Sequence, residues 1–410
     1  MTDSVQEPPH PKRRRLRVAM VAPPWYELPP VGYGGLELIC SALIDALVRR
    51  GHHVTLFGAG VRNGTLASKF VSTTPELQYP RIGELVPAVL HTARVNKMLQ
   101  AGDFDVIHDH TIEGLITGPA RPAPTVVTVH LPVDGEHGDL LEAAGNAARL
   151  VSISHNQRSR RPGLAWAGTV YNGLPLDHIG PPSPAGCGDG PVLWLGRFNP
   201  DKGPDLAIEA CRAAGLPLLL VGKCNEANEH ECLRDVVRPM LGPDVELVVN
   251  AHRPVVDSLV AQARCLLLPI RWAEPFGMVM IEAMAKGLPV VALRQGSVPE
   301  IVEHGVTGFI CDRPEDLPEA LHRVKELDPQ ACVDHVRRHF GADLMARRYE
   351  EVYLDAMLHS RAGRLGRPLT QLVPTAAGRP TNVRPLEYHD HQRSGRGTTA
   401  PNGTQHVQRP

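Results

Sequence analysis

Arg197 and Lys202 stand five positions apart in "LWLGRFNPDKGPDLAIEA" (193–210), the first closing an apolar run and the second just ahead of a helix-like stretch. A guanidinium fork and an ammonium flanking one turn can clamp neighbouring phosphates, although solvated surface charges would look the same. Farther on, "RWAEPFGMVMIEAMAKGLPVV" (271–291) carries Glu274 and Glu282 with seven residues between them, the second inside a run of Met, Val, Ile and Ala. An unpaired buried carboxylate is costly, so Glu282 must reach water or a partner. Helical spacing puts Met278 and Lys286 one turn either side of it. The plain reading is a surface Glu282–Lys286 pair; the sharper one is a carboxylate that accepts both hydroxyls of a ribose diol.

Other residues could complete an anion site. "APPWYELPPVGYGG" ends in Gly32, Gly34 and Gly35 just ahead of a helical run, so backbone N–H groups there can approach a phosphate. Glu37 stands where the third glycine of a dinucleotide fingerprint would be, which argues against a dehydrogenase. "PFGMVMIEAMAKG" reads as a helix with Pro275 in its first turn and Gly287 at its end, its N-terminus facing the same site. His130 closes the apolar run "VVTVH". "DFD" (103–105) fits a D-x-D pattern, yet Phe104 and Val106 make it the entry to a buried strand. Cys224, His230 and Cys232 come from one segment without a fourth ligand, so no metal site is expected.

These residues need a scaffold. The chain has 410 residues, 42% hydrophobic and 21% charged, with a net charge of -1. That is enough for two domains, and it supplies no global field for nucleic acid. Eight cysteines without a CxxC pair read as reduced thiols in a cytoplasmic protein. No stretch is apolar enough to span a bilayer, and nothing indicates or forbids peripheral membrane contact. Short apolar runs ("LRVAMV", "HVTLFG", "FDVIH", "PTVVTVH", "ARLVSIS", "GTVY") alternate with helical segments such as 35–50 and 84–100. After the Pro/Gly-rich stretch 172–191 a second series follows: "VLWLG", "LPLLLVG", "VELVVN", "CLLLPI", "LPVVAL", "TGFIC". Both series predict doubly wound α/β sheets whose strand C-termini face a shared cleft.

"GRFNPDKG" followed by "EPFGMVMIEAMAKGLPVVALRQGSVPEIVEHGVTGFICD" resembles the donor-binding half of family 4 glycosyltransferases, retaining enzymes of the GT-B fold. "GYGGLELICSALIDALVRRGHHVTLFG", "FDVIHDH", "VVTVHLP", "SIS" and "VYNGLPLD" follow in that family's order, so the resemblance covers about residues 16–357. "PPVGYGG" and "LPIRWAEPFGMVMIEAM" are similar to a bacterial subgroup that contains an enzyme of oligosaccharide-antibiotic assembly. The resemblance implies two Rossmann-like domains, an acceptor-side one (16–180) and a nucleotide-sugar one (181–345). A helix (346–360) would cross back to the first domain, and a leader (1–15) and an Arg-rich tail (361–410) would stay disordered.

By the same resemblance, Arg197 and Lys202 would bind the donor diphosphate and Glu282 the ribose hydroxyls. Glu274, with the backbone of Phe276, Gly277 and Met278, would hold sugar and phosphates. Gly34 and Gly35 would close over the diphosphate, and His130 would approach the sugar. The expected reaction moves a sugar from a nucleotide diphosphate sugar, as substrate, to a sugar, lipid or small-molecule acceptor, with retention and with neither cofactor nor metal. An epimerase or hydrolase of a nucleotide sugar, or a catalytically silent binding protein, are the alternatives. Asn250 and Ala251 stand where the family commonly has a glycine, in a loop that often meets the nucleobase, which leaves the donor base unassigned.

Overall fold

Runs of Val, Ile, Leu and Ala form strands buried on both faces, as parallel sheets covered by helices require. The computed structural model describes residues 14–30, 34–61, 64–175, 177, 179–183 and 187–365. The expected disordered leader and tail, and Gly32, lie outside the described residues except for residues 14, 15 and 361–365.

Strands β1 (Arg17–Val21), β2 (His53–Ala59), β3 (Lys69–Thr74), β4 (Val106–Asp109), β5 (Thr125–Val129), β6 (Arg149–Ser152) and β7 (Trp166–Thr169) make a seven-stranded sheet. Its order is β3-β2-β1-β4-β5-β6-β7, with every pairing parallel. The second sheet, β8 (Val192–Arg197), β9 (Leu218–Lys223), β10 (Val245–Val249), β11 (Cys265–Leu268), β12 (Val290–Leu293) and β13 (Gly308–Cys311), has the order β10-β9-β8-β11-β12-β13 and is parallel throughout. Each sheet is wound outward from its first strand and then reverses. The reversals, between β1 and β4 and between β8 and β11, open the crevices in which such folds place ligands.

Strand β3 was not expected from the sequence. It lies at the sheet edge and carries Lys69, Ser72, Thr73 and Thr74, so it lacks the apolar run of its neighbours. Helices α1 (Gly35–Arg49) and α2 (Leu85–Leu99) agree with the 3.6-residue spacing. Helix α2 buries Pro87, Ala88, His91 and Thr92 and leaves Leu85, Val86, Val89 and Leu90 exposed.

Two chain segments cross between the lobes, and they pair with each other. Leu174 N–H donates to Phe340 O at 2.8 Å, and Ala342 N–H donates to Leu174 O at 2.8 Å. A Cβ on Gly173 would lie 2.8 Å from Gly341 O, so only glycine permits this approach. Beyond the crossing, helix Ala342–Leu365 buries Met345, Tyr349, Tyr353, Ala356 and Met357 in the core of the first lobe. It extends five residues past the expected end at 360. No described helix is long and apolar enough to cross a membrane.

Candidate active site

The cleft between the lobes has a volume of about 1150 Å³ and is lined by all ten residues singled out above: Gly34, Gly35, His130, Arg197, Lys202, Glu274, Phe276, Gly277, Met278 and Glu282. Strand direction explains the convergence. Gly34 follows β1, His130 follows β5, and Arg197 ends β8. Lys202 and Glu274 come from the connections after β8 and β11, on either side of the second reversal. A Cβ on Gly35 would lie 3.9 Å from Met278 Cγ, so the start of α1 meets the start of helix Met278–Met284 across the cleft. Neither helix has a side-chain cap, which leaves backbone N–H groups open to an anion.

The Glu274 segment departs from expectation. Pro275 is not in the first helical turn; the helix starts at Met278 behind Gly277, whose φ of +78° suits glycine. Ser297 holds residues 274–276 outside the helix, with its N–H donating to Glu274 O at 3.0 Å and its hydroxyl to Phe276 O at 2.7 Å. On the other flank Arg271 donates to Asp205 through two nitrogens at 2.7 and 2.6 Å and to Pro200 O at 3.0 Å, which ties this loop to the one bearing Lys202.

The two cations face carboxylates of their own lobe. Lys202 Nζ contacts Glu274 Oε2 and lies 4.8 Å from the centre of the Trp272 ring; both members of the ion pair are mostly buried. Its backbone is held as well, because Trp194 Nε1–H donates to Lys202 O at 3.1 Å. Arg197 Nη1 is 3.4 Å from Glu226 Oε1 and 3.6 Å from the buried Glu229. Lys202 is thus oriented in a water-poor wall, whereas Arg197 and Glu226 are open to solvent at the cleft.

Glu282 does not form the surface pair with Lys286 that its plain reading offered. Its closest cation is Arg253, at 3.8 Å, from helix Arg253–Gln262. The carboxyl is 23% exposed, and burial pushes its pKa up while Arg253 opposes the shift. His130 Nε2 shares a hydrogen bond with His110 Nδ1 at 2.9 Å, and burial lowers the pKa of His130 to about 4. Behind it His108, its pKa lowered to about 3, bonds Tyr353 and Thr128 at 2.7 Å each.

Several cleft residues had no readable signal. Arg253 opens a helix in an ordinary polar stretch, whereas Lys223 ends β9 as Arg197 ends β8, a signal that was passed over; its Nζ reaches Tyr26 of the other lobe at 3.1 Å. Asn250, noted only as a departure, adopts φ +54° and clamps Cys224, accepting from its N–H at 2.9 Å and donating to its carbonyl at 3.0 Å. A side chain chosen for a left-handed turn gives no sign in sequence of what it will grip.

The "DFD" stretch sits at the N-terminal ends of the central strands β1 and β4, away from the turns that line the cleft. Asp103 and Asp105 pair there with Arg17, and the Arg17 N–H donates to Asp105 at 2.8 Å. Cys224 Sγ lies 3.2 Å from His230 Nδ1, and among the described residues no group of three or more ligands could hold a metal ion. All eight cysteines are free thiols.

Comparison with known proteins follows this geometry. Residues 188–337 match the family described as glycosyl transferases group 1, and residues 33–172 match glycosyltransferase family 4. An uncharacterized glycosyltransferase of Methanocaldococcus jannaschii is 31% identical over 315 residues, which span 70% of this chain and 84% of that protein. AviGT4, a glycosyltransferase involved in avilamycin A biosynthesis, has a TM-score of 0.65 at 23% identity over 84% of this chain and 98% of its own. HepE of Anabaena, in complex with UDP and glucose, has a TM-score of 0.63 at 21% identity over 83% of this chain and all of its own. At such identities the two structures bear on the fold, which is GT-B.

Proposed function

The chain belongs to the family 4 glycosyltransferases, and from that premise we propose that it moves a sugar, with retention, from a nucleotide diphosphate sugar to an acceptor hydroxyl bound on the first lobe. The observation that carries this reading is the convergence of Arg197, Lys202 and the start of α1 on one cleft that Glu282 also lines. The UDP and glucose bound by HepE support the donor class.

In this reading the bond between the anomeric carbon and the diphosphate oxygen breaks as the acceptor oxygen attacks on the same face. The acceptor proton passes to the departing phosphate oxygen, so no side-chain nucleophile is required. The protein's work is electrostatic: Arg197, Lys202 and the N–H groups at Gly34–Gly35 stabilise charge that grows on the leaving group. Glu274 holds Lys202 and meets the sugar, with the backbone of Phe276, Gly277 and Met278 beside it. Glu282 receives the ribose hydroxyls and His130 faces the sugar. The two cations supply the countercharge a divalent ion would otherwise provide. Closure of the lobes excludes water before transfer.

Thermal-shift screening of UDP, GDP, ADP and TDP sugars, followed by assay of nucleoside diphosphate release with and without acceptors, tests the reading. An acceptor-dependent glycoside is the expected outcome. Release that never depends on an acceptor would make the protein a nucleotide-sugar hydrolase, and interconversion of two nucleotide sugars an epimerase.

A further inference from the structure

Glu300 belongs to the short helix Val298–Ile301 of the second lobe, three residues after Ser297, which fixes the backbone of Glu274 and Phe276. Its carboxylate, however, is bound by the other lobe. It accepts from the N–H of His155 at 2.7 Å and from that of Asn156 at 2.6 Å, the first two residues of helix His155–Arg160. It also accepts from the Tyr171 hydroxyl at 2.9 Å. Tyr171 lies in the segment that crosses between the lobes, and its ring packs at 6.1 Å from Phe276 and 5.8 Å from Phe340, the latter in the returning crossing.

These contacts have a physical logic. The first N–H groups of a helix lack intrahelical partners and carry its positive end, so a carboxylate there is stabilised by charge and by hydrogen bonding together. Three charge-assisted bonds on one half-buried carboxylate hold it more tightly than a surface contact. Glu300 and Ser297 stand in one helical turn, with the Glu300 N–H donating to Ser297 O at 2.9 Å, so the first lobe at His155 is tied through that turn to the peptide that carries Glu274 and Phe276.

We propose that Glu300 is a positioning residue: it latches the first lobe to the second and sets the 274–276 segment so that Glu274 and Lys202 face the cleft in register with the acceptor lobe. The residue touches no substrate. It acts through Ser297 on one side and through Tyr171 and Phe276 on the other, and its kinetic consequence rests on the function proposed above.

Two measurements on the full chain test it. Amide hydrogen exchange reads the latch itself: His155 and Asn156 N–H groups are protected in the parent protein and exchange at least tenfold faster in Glu300→Ala, with Glu300→Gln between the two because its carbonyl oxygen still accepts one bond. Equal exchange in all three proteins would overturn the latch, whatever the catalytic activity. Steady-state kinetics reads the positioning: in Glu300→Ala kcat falls about tenfold or more and partly recovers in Glu300→Gln, at a temperature well below both melting transitions. Faster amide exchange with unchanged kcat and KM would leave Glu300 a purely structural tie and would overturn the positioning role.

Discussion

His130 Nε2 and His110 Nδ1 share one hydrogen bond of 2.9 Å at the back of the cleft, and only one proton can occupy it between two neutral rings. The rings continue into the core as a row, His108 packing tilted against His110 at 4.2 Å and bonding Tyr353 directly, and Tyr349 through Thr128, on the helix that returns from the second lobe. With its pKa lowered to about 4, the His130 ring stands uncharged near neutral pH, a hydrogen-bonding group instead of a proton carrier.

Stability should therefore depend on pH in a defined direction. Burial lowers the pKa of His108 to about 3, and those of His91 and His130 to about 4, below the unfolded value near 6.5. The unfolded chain then binds more protons, so the histidine contribution is complete above about pH 6.5 and is lost as pH falls toward 4. Urea midpoints recorded between pH 7 and 4 should fall, and less steeply in His130→Asn. A midpoint that is flat over this range would contradict the buried neutral row.

Removing a cation should damage the transition state most. Arg197→Ala and Lys202→Ala are each expected to lower kcat/KM about 100-fold or more, as loss of a preorganised charge does elsewhere. Lys202→Arg should not rescue, since the ammonium is confined between Glu274 and Trp272. Wild-type rates in either alanine variant would remove the electrostatic account.

Glu282→Ala should act on binding. On the ribose-binding role proposed for it, losing both hydroxyl contacts in ground and transition states alike should raise the donor KM with little change in kcat. Because burial pushes the Glu282 carboxyl up, donor affinity measured by calorimetry should weaken on acidification at a higher pH than an ordinary glutamate would give. Arg253→Ala, which removes the cation that opposes that shift, should move this transition to still higher pH.

Gly277→Ala tests the helix start. The residue has φ +78°, and an added Cβ would come within 2.7 Å of Met280 Cε. A cost of about 1–2 kcal/mol in thermal unfolding is expected from the left-handed backbone, together with a larger donor KM as the N–H groups of Met278 and Val279 shift. Unchanged melting would show that the loop accommodates a side chain.

Both sheets were legible in the sequence because they rest on local order, and ten residues of the cleft wall were named from local pattern together with the resemblance to family 4 glycosyltransferases. Apolar runs buried on both faces announce parallel strands, and parallel strands deliver their following turns to one edge, so residues such as Arg197, Lys202 and Glu274 converge without any knowledge of contacts. Edge strand β3 was not legible, since its polar residues hide the pattern, whereas the equally peripheral β13 is apolar and buried and could be read. Partnerships across long separations were decided by the tertiary structure alone. Arg253 instead of Lys286 beside Glu282, His110 behind His130, and Glu300 on the amides of His155 and Asn156 join residues that strand order and lobe packing bring together. Chain spacing carries helical neighbours four residues apart, but it holds no record of which charge a folded lobe will turn toward another.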